Sequence, residues 1–361
     1  MKFDLTEDQR WLKQNAREFF QRENSVTWAK MAEQGWMGLM IPIRYGGLGL
    51  GFVELTLLLE EMGYALAPGP FLATVVLGGS AILAAGNERQ KREFLPRIAR
   101  GELRLSLTGL SPEQNGVIAG PTAQGGDFSL EGRASAVLEA RDADWLVVSA
   151  ADAGPRGTRD AVSLFLVEGR RRGLTISKGD GIDQTRHLYG VRFSGVKVSR
   201  DRLLGKPGRG RTIRDRILAG ASAALAAEMA GGALRILDMC VSHARQRFQF
   251  GKAIGSFQAI QHSLADMKVN IENARSLAYH AAWAVARNAQ ESPNAAAMAK
   301  AYGADAFLKA ATEGIQIHGA AGFASEHDIH RYLRRALLCR GFCGDGISLR
   351  ERVAQYYLDL P

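Results

Sequence analysis

Residues 247–267, RFQFGKAIGSFQAIQHSLADM, decide how this chain is read. Phe257, Ile260, Leu264 and Met267 recur at helical spacing, so the second half is a helix with one apolar face. Gln258 and Gln261 flank that stripe, and Arg247 stands just ahead of the break at Phe250 and Gly251. Two helix ends joined by a glycine-containing turn, with a guanidinium and amides nearby, suit an anionic ligand that also takes hydrogen bonds. On composition alone, a helix hairpin closed by an arginine cap explains the same residues more simply.

Residues 316–323, QIHGAAGF, tip that balance. They follow an Ala-rich helical pattern over 294–313, and their small side chains let a backbone approach something flat or phosphorylated, with Gln316 adding an amide. Taken alone they are a helix end closed by glycine. Taken in this order, R-x-x-F-G, F-Q-x-x-Q-H-x-L-A-D-M and Q-I-H-G resemble the C-terminal domain of the acyl-CoA dehydrogenase family. Further segments resemble the same family upstream: DLTEDQ at 4–9, GWMGL at 35–39, PIRYGGLGL at 42–50, LEEMG at 59–63 and FLPRIARG at 94–101. The resemblance covers essentially the whole chain.

A chain of 361 residues is long for a single core and invites two or three domains. With 46% hydrophobic and 23% charged residues it can bury a substantial interior and carries no signature of disorder. Helical periods fill residues 5–100. Short runs such as 145–148, 162–167 and 191–193, broken by Gly, Asp and Asn, read as strands. From residue 211 onward the Ala- and Leu-rich pattern is helical again. The expected fold is α+β and multidomain: an N-terminal α-helical domain over 1–102, a middle antiparallel β-barrel or sandwich over 103–208, and a C-terminal four-helix bundle over 209–361. Residues 150–160 read as a mobile strand connection.

No apolar run approaches about 18–20 residues, and the start lacks the apolar centre of a signal peptide. A cytoplasmic protein without membrane insertion is therefore expected. The three cysteines, Cys240, Cys339 and Cys343, are odd in number and lack C-x-x-C spacing, so neither a disulfide framework nor a metal site is expected. The net charge of +9 collects over 156–216, including Arg170, Arg171, Arg172, Lys206, Arg209, Arg211, Arg214 and Arg216. A solvated face accounts for scattered arginines; attraction of CoA phosphates is the functional reading. Nucleic acid is disfavoured because no aromatic-interleaved basic run appears, although one relative in the family binds DNA, which keeps a flavin-binding, DNA-associated protein as a remote alternative.

What the resemblance implies is FAD chemistry. Members of the family form a Cα=Cβ double bond in an acyl-CoA or another acyl thioester: a carboxylate removes the α-proton, hydride leaves to the flavin, and the electrons pass to an electron-transfer flavoprotein. By the same resemblance, Arg247 pairs with the pyrophosphate of FAD held by a neighbouring subunit. Phe250 packs on the dinucleotide, Gln316 and Gly319 approach its ADP part, and Gln258 and Thr108 are further contacts. A homo- or hetero-oligomer, dimer or tetramer, follows.

The departures from the family matter as much. Of the segment usually reading T-E-P-x-x-G-S-D, residues 108–116 keep only Thr108 and the glycine texture. The W-I-T-N stretch is replaced by Ser135 to Ala140, and QIHGG becomes QIHGA. The usual catalytic Glu stands seven residues ahead of an Arg; counting back from Arg350 gives Cys343, read as a neutral pocket-lining residue. Asp345 is then the candidate base, although an N-cap of a helix carrying Ile347, Leu349 and Val353 accounts for it more simply. A branched-chain subgroup draws its Glu from the first helix of the C-terminal domain, where this chain has only Asp215 between Arg214 and Arg216. Glu228 reads as an interhelical polar contact, and His262 and His318 as core or flavin-neighbour residues. The closing pattern, residues 322–336 and 344–352, resembles bacterial members acting on bulky or dicarboxylic acyl thioesters, sterol side chains included. Some of these pair two different subunits around shared FAD sites, so a half-site subunit is the alternative reading.

Overall fold

Thr6 and Gln9 start the first helix by satisfying each other: Thr6 Oγ1 accepts the Gln9 N–H at 3.2 Å and Gln9 Oε1 accepts the Thr6 N–H at 3.0 Å. The computed structural model describes residues 4–22, 26–110, 115–122, 126–153 and 161–358; part of the 108–116 segment and most of the expected 150–160 connection lie outside the described residues. Helix α1, Glu7–Arg22, turns Leu12, Ala16 and Phe20 inward at helical spacing. Helices α2, Trp28–Glu33, and α3, Phe52–Tyr64, follow. A fully buried π-helical stretch, Leu72–Gly79, runs into α4, Ser80–Ala85, and α5, Glu88–Ala99, closes the helical layer.

The strands are β1 (Leu105–Thr108), β2 (Ile118–Pro121), β3 (Phe128–Leu138), β4 (Trp145–Asp152), β5 (Val162–Glu168), β6 (Leu174–Lys178), β7 (Leu188–Val198) and β8 (Leu203–Leu204). They form one eight-stranded sheet in the order β6-β7-β3-β2-β4-β5-β8, with β1 also on β4. Leu130, Ala134, Val148, Phe165, Val191 and Phe193 make its own core. The expected antiparallel pairing holds for β2·β3, β3·β7, β4·β5, β5·β8 and β6·β7, but β1 and β2 share one edge of β4 and both run parallel to it. β1 and β4 are buried along almost their whole length, and a short apolar run marks a strand without fixing the direction of its partner.

The C-terminal layer packs α6 (Gly210–Gln246), α7 (Gln258–Ala286) and α8 (Ser292–His318) on one another, with α9 (Ile329–Gly341) and α10 (Gly346–Leu358) against α8. Helix α6 is long and apolar enough to cross a membrane, yet 89% of its apolar window is buried inside the fold, which marks it as the central core helix. It also docks on α3 at glycines. A Cβ built at Gly63 falls 2.0 Å from the Glu228 carbonyl oxygen, and one at Gly231 falls 1.8 Å from the Glu60 carbonyl oxygen. Only glycine permits that approach of the two backbones.

Candidate cofactor and substrate site

Helix α6 ends where the Arg247 N–H donates to His243 O at 2.8 Å, and the chain then turns in a two-strand hairpin, β9 (Phe248–Gln249) and β10 (Lys252–Ala253). Phe250 and Gly251 form its tip with φ of 54° and 77°, the left-handed pair that a two-residue hairpin turn needs. Phe250 is 90% exposed there. Arg247 and Gln258, the first residue of α7, are also exposed. Across from them, Gln316 is exposed on the last turn of α8, and Gly319 turns the chain at φ 60° with open space where a Cβ would stand. The two segments meet because His243 of α6 stacks on His318 of α8, ring centroids 4.4 Å apart, with His327 4.6 Å beyond. His318 Nδ1 lies 2.8 Å from Gly314 O, which assigns its proton to Nδ1. Burial lowers the pKa of both His243 and His318. His262, by contrast, is exposed on α7.

Thr108 lies at the end of β1 and is fully buried, with no hydrogen-bond partner for its hydroxyl among the described residues. The π-helix holds β1 in place through Thr74, whose Oγ1 accepts the Leu105 N–H at 3.0 Å and donates to Leu105 O at 3.1 Å. On the face of the sheet turned away from its core is a cleft of about 550 Å³ lined by Asn115, Arg133, Ser135, Thr175, Ser177 and Arg192. The reading by motif passed over these residues. Strand alternation was the available signal, since Arg133 and Arg192 stand beside the buried Ala134, Val191 and Phe193 and so point outward.

The candidate bases are spread apart. Cys343 is buried at φ 64°, and burial pushes its thiol up to about 12. Its turn is clamped by Lys300, whose Nζ donates to Arg340 O at 2.9 Å and to Gly344 O at 2.5 Å. Asp345 is exposed and its Oδ1 accepts the Ser348 N–H at 2.8 Å and the Ile347 N–H at 2.9 Å, the geometry of an N-cap on α10. Those hydrogen bonds, Ser348's first, lower its pKa. Asp215 lies 3.2 Å from Arg214 and is half exposed. Glu228 is buried between Arg186, at 2.7 Å, and Arg335. Arg335 reaches on to Asp183, Thr185 and the carbonyl of Ala67, so one buried ionic cluster spans the helical layer, the sheet layer and the bundle. The interhelical polar contact expected of Glu228 is thus its pairing with Arg335; the rest of the cluster left one further trace in the sequence, the placing of Arg335 on the apolar side of α9 with Ile329, Tyr332, Ala336 and Leu338.

This succession of a helical layer, a sheet and a helical bundle is matched by known proteins. The model of the acyl-CoA dehydrogenase N-terminal domain matches residues 6–102, and that of the C-terminal domain matches 208–358. A probable acyl-CoA dehydrogenase of Bacillus subtilis is 31% identical over 98% of this chain and 98% of its own length. The chain belongs to the acyl-CoA dehydrogenase family. Among solved structures, butyryl-CoA dehydrogenase from Megasphaera elsdenii superposes with a TM-score of 0.91 at 26% identity, covering 99% of this chain and 100% of its own. An acyl-CoA dehydrogenase from Bacillus anthracis complexed with FAD gives a TM-score of 0.91 at 25% identity over 99% of this chain and 68% of its own.

Acyl-CoA dehydrogenases are FAD-binding oxidoreductases, and the residues present fit the phosphate-bearing half of that cofactor. Arg247 has no ion-pair partner among the described residues, the Gln316 amide is exposed, and the space beside Gly319 is open. A planar guanidinium, an amide and an uncluttered backbone are the groups that hold a diphosphate.

Proposed function

We propose that this chain is an FAD-dependent acyl-CoA dehydrogenase subunit that removes the Cα and Cβ hydrogens of an acyl thioester and passes the electrons to an electron-transfer flavoprotein. The observation that carries this reading is the His243–His318 stack, which sets the end of α6 that leads into Arg247 and the 90% exposed Phe250 against the end of α8 that carries Gln316 and Gly319. A bare ring near a guanidinium that has no ion-pair partner among the described residues suits a surface completed by another subunit, so the working form is a dimer or tetramer. When bound, FAD supplies the acceptor for the hydride from Cβ. Arg247 would offset the diphosphate charge, and Gln316 would donate to its oxygens or to the ribose. In the self-sufficient form, Asp345 takes the α-proton through Oδ2, the oxygen not engaged in capping, and its lowered pKa keeps it ionised but makes it a weak base.

A second reading is favoured by Cys343 and Asp345. A neutral thiol stands where the family's base is expected, and the nearest acid is a helix cap. The α-proton is then taken by a carboxylate of a different subunit, and this chain contributes half of a shared flavin site. The absorbance spectrum of the purified protein separates the two. A yellow homomer that bleaches on addition of an acyl-CoA supports self-sufficient catalysis. A protein that acquires flavin and turnover only when co-expressed with a paralogous subunit supports the half-site form. A chain that takes up flavin under neither condition would sink both.

A further inference from the structure

Arg133 of β3 and Arg192 of β7 are direct cross-strand partners, and Thr175 of β6 is the next residue along the same row. All three point out of the sheet into the cleft. Two like charges placed opposite each other in a sheet destabilise it unless something of opposite charge lies between them. Among the described residues neither guanidinium has an ion-pair or hydrogen-bond partner. Glu131, the nearest carboxylate along β3, sits beyond the register shift at Gly132, with Oε1 beside Gly195. The neighbouring row adds Ser177, whose Oγ lies 3.3 Å from Gly190 O, and a Cβ at Gly190 would come within 3.0 Å of that oxygen. Glycine there keeps the cleft floor open. Asn115 is held at the rim, its Nδ2 donating to Ser149 O at 2.9 Å.

We propose that Arg133 and Arg192, with the hydroxyls of Thr175 and Ser177, form a seat for a diphosphate on the outer face of the sheet. Paired guanidiniums recognise phosphate oxygens through parallel charge-assisted hydrogen bonds, and short hydroxyl side chains complete the shell. A cleft of about 550 Å³ holds a diphosphate with part of its nucleoside. Two ligands of the function proposed above carry such a group, the CoA of an acyl thioester and FAD, and the seat rests on that reading only for which of them fills it. It adds positive charge from this chain's own sheet, where the family's usual motifs are missing.

The test uses R133Q and R192Q, with R133K and R192K as charge-preserving variants. Three ligands are measured on each: CoA titrated into the protein as purified, FAD retention during dialysis, and inorganic pyrophosphate titrated into flavin-depleted protein. Each Gln variant is expected to weaken pyrophosphate about tenfold or more, the scale of one charge-assisted hydrogen bond, and each Lys variant less. The same loss for CoA alone assigns the seat to the thioester carrier, and for FAD alone to the flavin. Thermal midpoints of the unliganded Gln variants are expected to stay level or rise, because the opposed charges are relieved. Unchanged binding of all three ligands, or a lowered midpoint without a binding defect, overturns the seat. Pyrophosphate held by the arginine pair in a protein that takes neither FAD nor CoA would leave the seat standing and refute the proposed function instead.

Discussion

Arg335 of α9 donates its Nε to Asp183 Oδ2 at 2.5 Å, joining the bundle to the turn between β6 and β7, and both side chains are buried. The same guanidinium serves Glu228 of α6, Thr185 and the carbonyl of Ala67. One guanidinium therefore touches all three layers of the fold. Replacing Arg335 by Met removes the cation and leaves the buried Asp183 without an ionic partner among the described residues, while Glu228 keeps Arg186 at 2.7 Å. We expect a loss of about 3–5 kcal/mol, the scale for breaking a buried ion pair from one side. Urea unfolding measures it, and a loss below about 1 kcal/mol would show that the cluster is dispensable.

The α3–α6 crossing makes a sharper steric prediction. Gly231→Ala places a methyl 1.8 Å from the Glu60 carbonyl oxygen, so the helices must separate. A destabilisation of about 1–3 kcal/mol is expected from overpacking, although Ala is the better helix former. If urea unfolding finds the variant more stable than the parent, the close crossing is wrong.

Cysteine chemistry follows from burial. Burial pushes Cys240, Cys339 and Cys343 each up to about 12, so at pH 8 the native protein should resist iodoacetamide and the urea-unfolded protein should take three equivalents. Rapid native labelling of Cys343, mapped by mass spectrometry, would reopen a nucleophilic role. Cys343→Ala is expected to leave flavin content and turnover unchanged.

The histidine stack sets a pH dependence. Burial holds His243 and His318 below the ordinary value near 6.5, with Arg247 and His327 further opposing a charge on His243. In the window just below pH ~6.5 the unfolded chain binds more protons than the folded one, so their contribution is complete above that value and is lost as pH falls through the lowered folded values. Thermal midpoints recorded across this window should fall more steeply for the parent than for His318→Gln. Parallel curves would mean that the stack does not titrate as described.

Arg247→Ala tests the bundle end directly. The side chain is exposed and unpaired among the described residues, so stability should change by less than about 0.5 kcal/mol. Flavin retention should nevertheless fall about tenfold, the loss expected of one charge-assisted contact. Full retention during dialysis would remove Arg247 from the cofactor site.

The sequence by itself determined the order of helices, strands and helices, because the helical period of α1 and the Ala- and Leu-rich composition of α6 and α8 differ from the short apolar runs of β4, β5 and β7, broken by Gly, Asp and Asn. It also determined the family, through ordered motifs at fixed spacing such as those around Arg247 and Gln316. The identities behind the missing base were legible too, since a Cys at position 343 is visible without coordinates. Tertiary structure decided which residues meet. The His243–His318 stack brings together segments some seventy residues apart, and nothing local to either encodes that contact. It decided that β1 and β2 lie parallel to β4, because pairing direction leaves no periodicity. It decided that Glu228 is one corner of a buried ionic cluster and that Arg133 opposes Arg192, because cross-strand and interlayer neighbours are fixed by register and packing rather than by sequence distance.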